Sequence, residues 1–224
     1  MLSLCFPTPD VRIMRNVIVA SVIALLCAGP FANSTGAATR TPLSQQDRKD
    51  IKRVENYIAG IDTIKARFMQ VASDGSLAEG KIYIKRPGKM RIDYAPPTPV
   101  EVIATRHFLI YHDKKLKQVT HVPIGSTPVG ILLNEDPQLS GDVTVTSVER
   151  GPGALRVEVS QSDDLMNGAL TLVFSDGPLT LRKWIVTDAQ GVRTTVSLLD
   201  TTFGSQLDLD LFKFTHPYRN LRDD

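Results

Sequence analysis

Histidines, cysteines, a serine and a pair of aspartates are the residues of this 224-residue chain whose types could do chemistry. The four histidines are His107, His112, His121 and His216. No two of them have the HExxH or other compact spacing that would hold a metal ion. Three fall on extended segments among polar neighbours and read as surface side chains. Both cysteines, Cys5 and Cys27, lie in or before an apolar N-terminal run, so a processed chain keeps neither nucleophile nor disulfide. Gly125-Ser126-Thr127 lacks the frame of a nucleophile elbow and reads as a helix cap. Asp208 and Asp210 are spaced by two, as on the wet face of an edge strand, and no proton donor is placed opposite them. Gly-rich phosphate loops are missing, and the net charge of +2 gives no overall basic field for nucleic acid. The expectation is a binding protein and not an enzyme, with no cofactor and no metal.

One basic residue stands apart. Around the Pro87-Gly88 turn, Ile82 and Ile84 share one parity, and Met90, Ile92 and Tyr94 share another, with Lys81, Tyr83, Lys85, Arg91 and Asp93 opposed to them. Side chains alternate across a strand, so this is a β-hairpin with one greasy and one wet face. Arg86 has the parity of Ile82 and Ile84. It puts a guanidinium at the end of the greasy face, where a purely structural hairpin needs none.

The elements that position this hairpin follow from the periodicity. Ser44, with Asp47 three residues on, caps a helix in which Ile51, Val54, Ile58 and Ile61 recur at helical spacing, and Gly60 ends it. From Ile64 the period becomes two, with Ala66, Phe68 and Gln70 opposed to Lys65, Arg67 and Met69. Strands are then expected at 100–105, 107–113, 116–122, 143–148, 155–160, 169–174, 179–186 and 192–202, separated by turns such as Asp163-Asp164 and Asp176-Gly177-Pro178. Leu207 to Phe214 reads as a last short strand or edge segment. Between the two sets of strands, Ser126-Thr127-Pro128 caps an apolar helix over Val129, Ile131, Leu132 and Leu133, and Asp136 to Ser140 adds a second short helical turn. The apolar helix is either ordinary core or a lid.

About ten or eleven short strands with no room for crossover helices make an antiparallel sheet. Their greasy faces exceed what one amphipathic helix can cover. A curved sheet wrapped around a few helices, with space for an apolar ligand, resolves the imbalance. The fold class is therefore mainly β with α.

Residues 1–38 have the layout of a secretory signal: Arg12 and Arg15, the apolar run Val17 to Cys27, then small residues, with Met14 as an alternative start and cleavage expected after Ala38, Ala32 being the alternative. The run falls short of the roughly 20 residues that a spanning helix needs. A flexible lead-in covers 39–43, the folded domain 44–217 and a polar tail 218–224.

Several stretches resemble the periplasmic outer-membrane lipoprotein carrier family, LolA. They are Phe68-Met69-Gln70, Gly80 through Arg91, Tyr94-Ala95-Pro96-Pro97, Leu109-Ile110-Tyr111, Gln118-Val119-Thr120, Thr127-Pro128 with its apolar helix, and Asp210 through Phe214. The resemblance implies an incomplete antiparallel β-barrel with helices as a lid over a hydrophobic cavity. Arg86 takes the place of the family's lid-latching arginine. The cavity wall is expected from Phe68, Ile82, Ile84, Met90, Ile92, Tyr94, Val102, Ile110, Leu172 and Phe174, and the lid from Val129, Ile131, Leu132 and Leu133. Met90 and Ile92 are aliphatic where the best-known members carry aromatics. The implied partners are acylated lipoproteins, an inner-membrane ABC-type release complex and an outer-membrane acceptor, with the carrier a periplasmic monomer. A related lipid-binding or sensor module of the same fold is the alternative.

Overall fold

A computed structural model describes residues 42–127, 129–161 and 168–218. The expected signal segment, Pro128, the Asp163-Asp164 turn and the tail beyond Tyr218 lie outside them. The described elements belong to a compact unit that begins at Leu43.

The first helix, α1 (Gln45–Ala59), starts at the expected place because Ser44 and Asp47 cap each other's backbone N–H groups. It stops at Gly60, whose N–H returns to Asn56. Its inward face buries Val54 and Ile58 completely, each worth about 1.5–3 kcal/mol relative to exposure.

Eleven strands follow: β1 (Thr63–Val71), β2 (Leu77–Lys85), β3 (Lys89–Tyr94), β4 (Val100–Ala104), β5 (Phe108–Asp113), β6 (Gln118–Pro123), β7 (Val143–Gly151), β8 (Ala154–Gln161), β9 (Ala169–Ser175), β10 (Thr180–Thr187) and β11 (Arg193–Phe203). They form one antiparallel sheet in the order β6-β5-β4-β3-β2-β1-β11-β10-β9-β8-β7. Strands β6 and β7 are its edges and do not pair, so the barrel is incomplete. The segment between them carries the short helix α2 (Gly130–Leu133). Register shifts at Lys65/Arg67, Val145/Ser147 and Leu181/Lys183 mark bulges, which bend a sheet and increase its twist.

The register puts the apolar parity of every strand on one side. Phe68 pairs with Gly80, Gly80 with Tyr94, Ile82 with Ile92, Ile92 with Val102, and Val157 with Leu172. Gly80 is required where it stands: a Cβ there would lie 2.0 Å from the Asp93 carbonyl oxygen and 2.8 Å from the Phe68 ring. The Phe68 and Tyr94 rings meet edge to face across it, 5.2 Å between centroids.

Four expectations are corrected. The middle helix is one turn, with Val129 at its N-cap and no side-chain cap; the Thr127 hydroxyl donates to the Ile124 carbonyl instead. Asp136 to Ser140 is not helical, because Pro137 lacks a donor and the Asp136 carboxylate takes the Gln138 side chain at 2.7 Å. Leu207 to Phe214 is not a strand: Asp208 accepts from the Asp210 N–H and starts a 3-10 turn at Leu209–Phe212. His112 is not a surface residue. It is buried on the convex side between Glu101, at 3.4 Å, and the Tyr218 hydroxyl, at 3.1 Å, and Phe214 packs edge-on against its ring.

That convex contact has a reason. Ile103 and Ile110 pair with each other on the outer parity of β4 and β5, and the C-terminal segment runs over this side of the sheet, burying Phe212. Arg91 holds the segment by donating to the Leu211 carbonyl at 3.1 Å.

Gly80→Ala forces either the β2–β3 backbone or the Phe68 ring to move. Urea unfolding is expected to show a loss of about 1–3 kcal/mol, a typical cost of overpacking, at unchanged m-value.

Candidate functional site

The β2–β3 turn is built to place one cation. Gly88 adopts φ 75°, which favours glycine, and its N–H donates to the Leu133 carbonyl at 2.8 Å. The Arg86 N–H donates to the Asp62 carbonyl at 2.8 Å. With its backbone fixed from both sides, Arg86 points its guanidinium along the greasy face, as its parity requires.

There the guanidinium meets only carbonyl oxygens. Nη1 donates to Ile58, in a short contact, and to Ile61 at 3.3 Å. Nη2 donates to Asn134 at 2.6 Å and to Glu135 at 3.5 Å. These carbonyls lie at and just beyond the C-terminal ends of α1 and α2, where the backbone oxygens carry partial negative charge; that of Ile58 also accepts from the Ile61 N–H at 3.1 Å. Arg86 is only 8% exposed, its Nε has no partner, and burial pushes its pKa down against the attraction of Asp62. Four carbonyl bonds thus compensate a buried cation that no carboxylate touches.

The helix ends joined by Arg86 cover the concave face. Ile131, Leu132 and Leu133 of α2 are buried, and Val129 packs half-buried beside them. Beneath lie Phe68, Ile82, Ile84, Met90, Val102, Leu172 and Phe174, all 4% exposed or less, with Ile92 and Tyr94 half-buried at the margin. These expected wall and lid residues come together in one continuous apolar cluster. Ile110 does not: its side chain is on the convex face, one residue out of step with Leu109 and Tyr111. Two polar side chains on the concave face pair with each other. The Tyr94 hydroxyl donates to Gln70 at 2.8 Å, and burial drives its pKa upward.

The helix α1 is fastened differently at its other end. Asp50, 2% exposed, accepts from Arg53 at 2.7 Å, from Arg150 at 2.6 and 2.7 Å, and from Gln46 at 3.2 Å. Arg53 continues to Asp176 at 2.5 Å, and Arg150 to Asp47 at 2.8 Å. Burial alone would push the Asp50 pKa up. The hydrogen bonds from Arg53, Arg150 and Gln46 outweigh it and hold the carboxyl below its ordinary value. Glu55 accepts from the Leu139 N–H at 2.9 Å, and the Tyr57 hydroxyl from the Leu181 N–H at 3.0 Å. Between α1 and β7 a groove of about 380 Å³ is left, with Ile51, Leu139 and Val145 in its wall and Arg48 and Lys52 at its rim.

Sequence reasoning missed the partners of Arg86 because they are backbone atoms, which no residue type marks. It also missed Asp50 and Arg150, which stand 100 positions apart. The only signal was an aspartate one turn from the apolar stripe of α1.

The fold and site define a class: an open antiparallel half-barrel whose apolar concave face is covered by a short helix tied to an arginine. The family described as outer membrane lipoprotein carrier protein LolA matches residues 59–215. This chain belongs to the LolA family. An outer-membrane lipoprotein carrier protein of Methylococcus capsulatus is 27% identical over 88% of this chain and 92% of its own length. One of Pseudomonas aeruginosa is 27% identical over 92% of this chain and 96% of its own. The crystal structure of a LolA superfamily protein from Nitrosomonas europaea aligns at a TM-score of 0.43 and 12% identity, covering 74% of this chain and 97% of that one.

The anchor of α1 has a pH signature. A carboxyl with a depressed pKa stabilises the fold above its unfolded value, near 4, and this contribution is lost as pH falls through the folded value. Asp50→Asn is expected to lower stability at pH 7 and to flatten the acid limb of the stability curve below about pH 4. A variant whose acid limb matches the parent would remove Asp50 from this role.

Proposed function

We propose that this chain is a periplasmic carrier that takes up the acyl chains of lipoproteins between its concave sheet and its lid, and moves them from the inner to the outer membrane. The observation that carries the reading is Arg86: the short helix is held over a predominantly apolar face by hydrogen bonds to backbone carbonyls. Family membership and the named carriers among its relatives support it.

The energetics fit reversible loading. A buried methylene is worth about 0.8 kcal/mol, so a dozen give on the order of 10 kcal/mol. Each charge-assisted bond of Arg86 contributes roughly 1.5–3 kcal/mol. An acyl chain therefore has enough favourable transfer energy to displace the lid, and the latch returns part of it at release. The implied partners are acylated lipoproteins, an ABC-type release complex at the inner membrane and an acceptor at the outer membrane. The signal segment at 1–38 supplies the route to the periplasm, and the protein works without catalysis.

The test is release of a triacylated lipoprotein from spheroplasts into the soluble fraction, with the complex identified by native mass spectrometry. Wild type is expected to release it as a one-to-one complex. No soluble complex would overturn the reading. Arg86→Leu is expected to load normally but to pass cargo to outer membranes at least tenfold more slowly, because its closed, empty state has lost its polar bonds. Arg86→Lys, with a single ammonium in place of the fork, is expected to fall between them. Handover by Arg86→Leu at the wild-type rate would exclude the latch role.

A further inference from the structure

The convex face of β1, β2 and β3 carries a pattern that neither packing nor ligand shielding uses. Arg67 on β1 stands directly opposite Lys81 on β2, and Lys85 on β2 directly opposite Lys89 on β3. Like charges at directly opposed positions of an antiparallel pair are destabilising. Some of this repulsion is relieved: Arg67 bonds Asp200 at 2.7 Å, and Lys85 lies 3.7 Å from Asp62. Lys65, Lys81 and Lys89 make no ion pair or hydrogen bond through their side chains among the described residues.

Apolar side chains are interleaved with these cations. Leu199 lies opposite Arg67 on β11, and Met69 is two residues along β1 on the same face; they are 38% and 39% exposed. Tyr83 stands between Lys65 and Arg91, directly opposite both. The C-terminal segment, held by Arg91 on β3, leaves Lys65, Arg67 and Met69 of β1 and Lys81 of β2 exposed. On the convex parity of β1, β2 and β3, six cations, Lys65, Arg67, Lys81, Lys85, Lys89 and Arg91, meet two acids, Glu79 opposite Met69 and Asp93 opposite Lys81. The excess cations surround the exposed Leu199 and Met69 and the half-buried Tyr83, a combination that suits the headgroup layer of a bilayer.

We infer that this face docks on an anionic phospholipid surface. Lysines near such a surface are each worth about 1 kcal/mol, with reach limited to a Debye length. The shallow apolar side chains enter the headgroup layer without inserting further. The patch ends at the turn that carries Arg86, since Lys85 and Lys89 flank it. Docking therefore brings the bilayer beside the arginine that ties the lid. The inference stands on the convex face alone and does not require that the chain carry lipoproteins.

Cosedimentation with phosphatidylglycerol-containing vesicles tests it. Binding is expected at low salt, loss at 0.5 M salt, and none to pure phosphatidylcholine. Reversing three lysines together, Lys65→Glu, Lys81→Glu and Lys89→Glu, is expected to weaken binding roughly 100-fold, as three contributions of about 1 kcal/mol imply. The same charge change placed elsewhere, as Lys49→Glu, Lys115→Glu and Lys117→Glu, is expected to leave most of the binding intact. Equal loss in both triple variants would reduce the effect to net charge and overturn the assignment of this face. Absence of vesicle binding by the wild type would overturn it too, including a case where the face captures an acidic protein instead. Lipoprotein release by a variant that no longer binds vesicles would leave the carrier reading standing.

Discussion

A guanidinium buried against carbonyl oxygens is the interaction on which the arrangement rests. A cation taken out of water needs compensation, and a carboxylate would supply it most strongly. Arg86 has none in contact. It draws on the ends of two helices, where the backbone carbonyls carry partial negative charge. The Ile58 carbonyl also accepts from the Ile61 N–H at 3.1 Å, so the guanidinium depends on the carbonyls more than they depend on it. If the short helix lifts as the proposed function requires, carbonyls and guanidinium can all return to water. A buried carboxylate partner would have made the contact harder to open.

The two ends of α1 are held by different chemistry. Toward its start, Asp50 is enclosed by Arg53 and Arg150, and Arg53 reaches on to the β9–β10 turn at Asp176. Toward its end, Arg86, the Tyr57 hydroxyl on the Leu181 N–H and the apolar packing of Ile58 and Ile61 hold it, with no ion pair to the sheet among the described residues. Ionic bonds that reach two separate sheet turns fix position, whereas carbonyl bonds to one flexible side chain allow departure. The helix is pinned where its capping box and salt bridges cluster and latched where the lid meets it.

Much of this was legible in the chain. Period-two alternation gave the strands, Ser44 and Gly60 the limits of α1, and parity alone put Arg86 on the apolar face. The errors have physical causes. Ile110 was assigned to the wall because β4 and β5 are greasy on both parities: Ile103 and Ile110 face outward, and Val102 and Leu109 inward. Alternation cannot orient a strand that buries both faces. His112 became buried through a segment about a hundred residues away, which local pattern cannot show. Asp208 favoured a local turn over a strand by accepting from Asp210, a choice made by one side chain.

The lid is the element least able to stand alone. Its helix is a single turn, below the length at which hydrogen bonding repays nucleation. Gly130 opens it with no favourable intrinsic propensity, yet a Cβ there would lie 2.8 Å from the Ile124 carbonyl oxygen. Its order is therefore supplied from outside: the burial of Ile131, Leu132 and Leu133, the Gly88 N–H on the Leu133 carbonyl, and Arg86 on Asn134. The local bonds are few, chiefly the Asn134 N–H on the Gly130 carbonyl at 2.9 Å and the Leu132 N–H on the Val129 carbonyl at 3.0 Å, so under the proposed function opening the lid would also loosen the turn. The conformational entropy regained on melting, about 1–2 kcal/mol per residue, offsets part of the lost packing. A single turn opened by glycine leans on its neighbours in a way that a longer, self-sufficient helix would not.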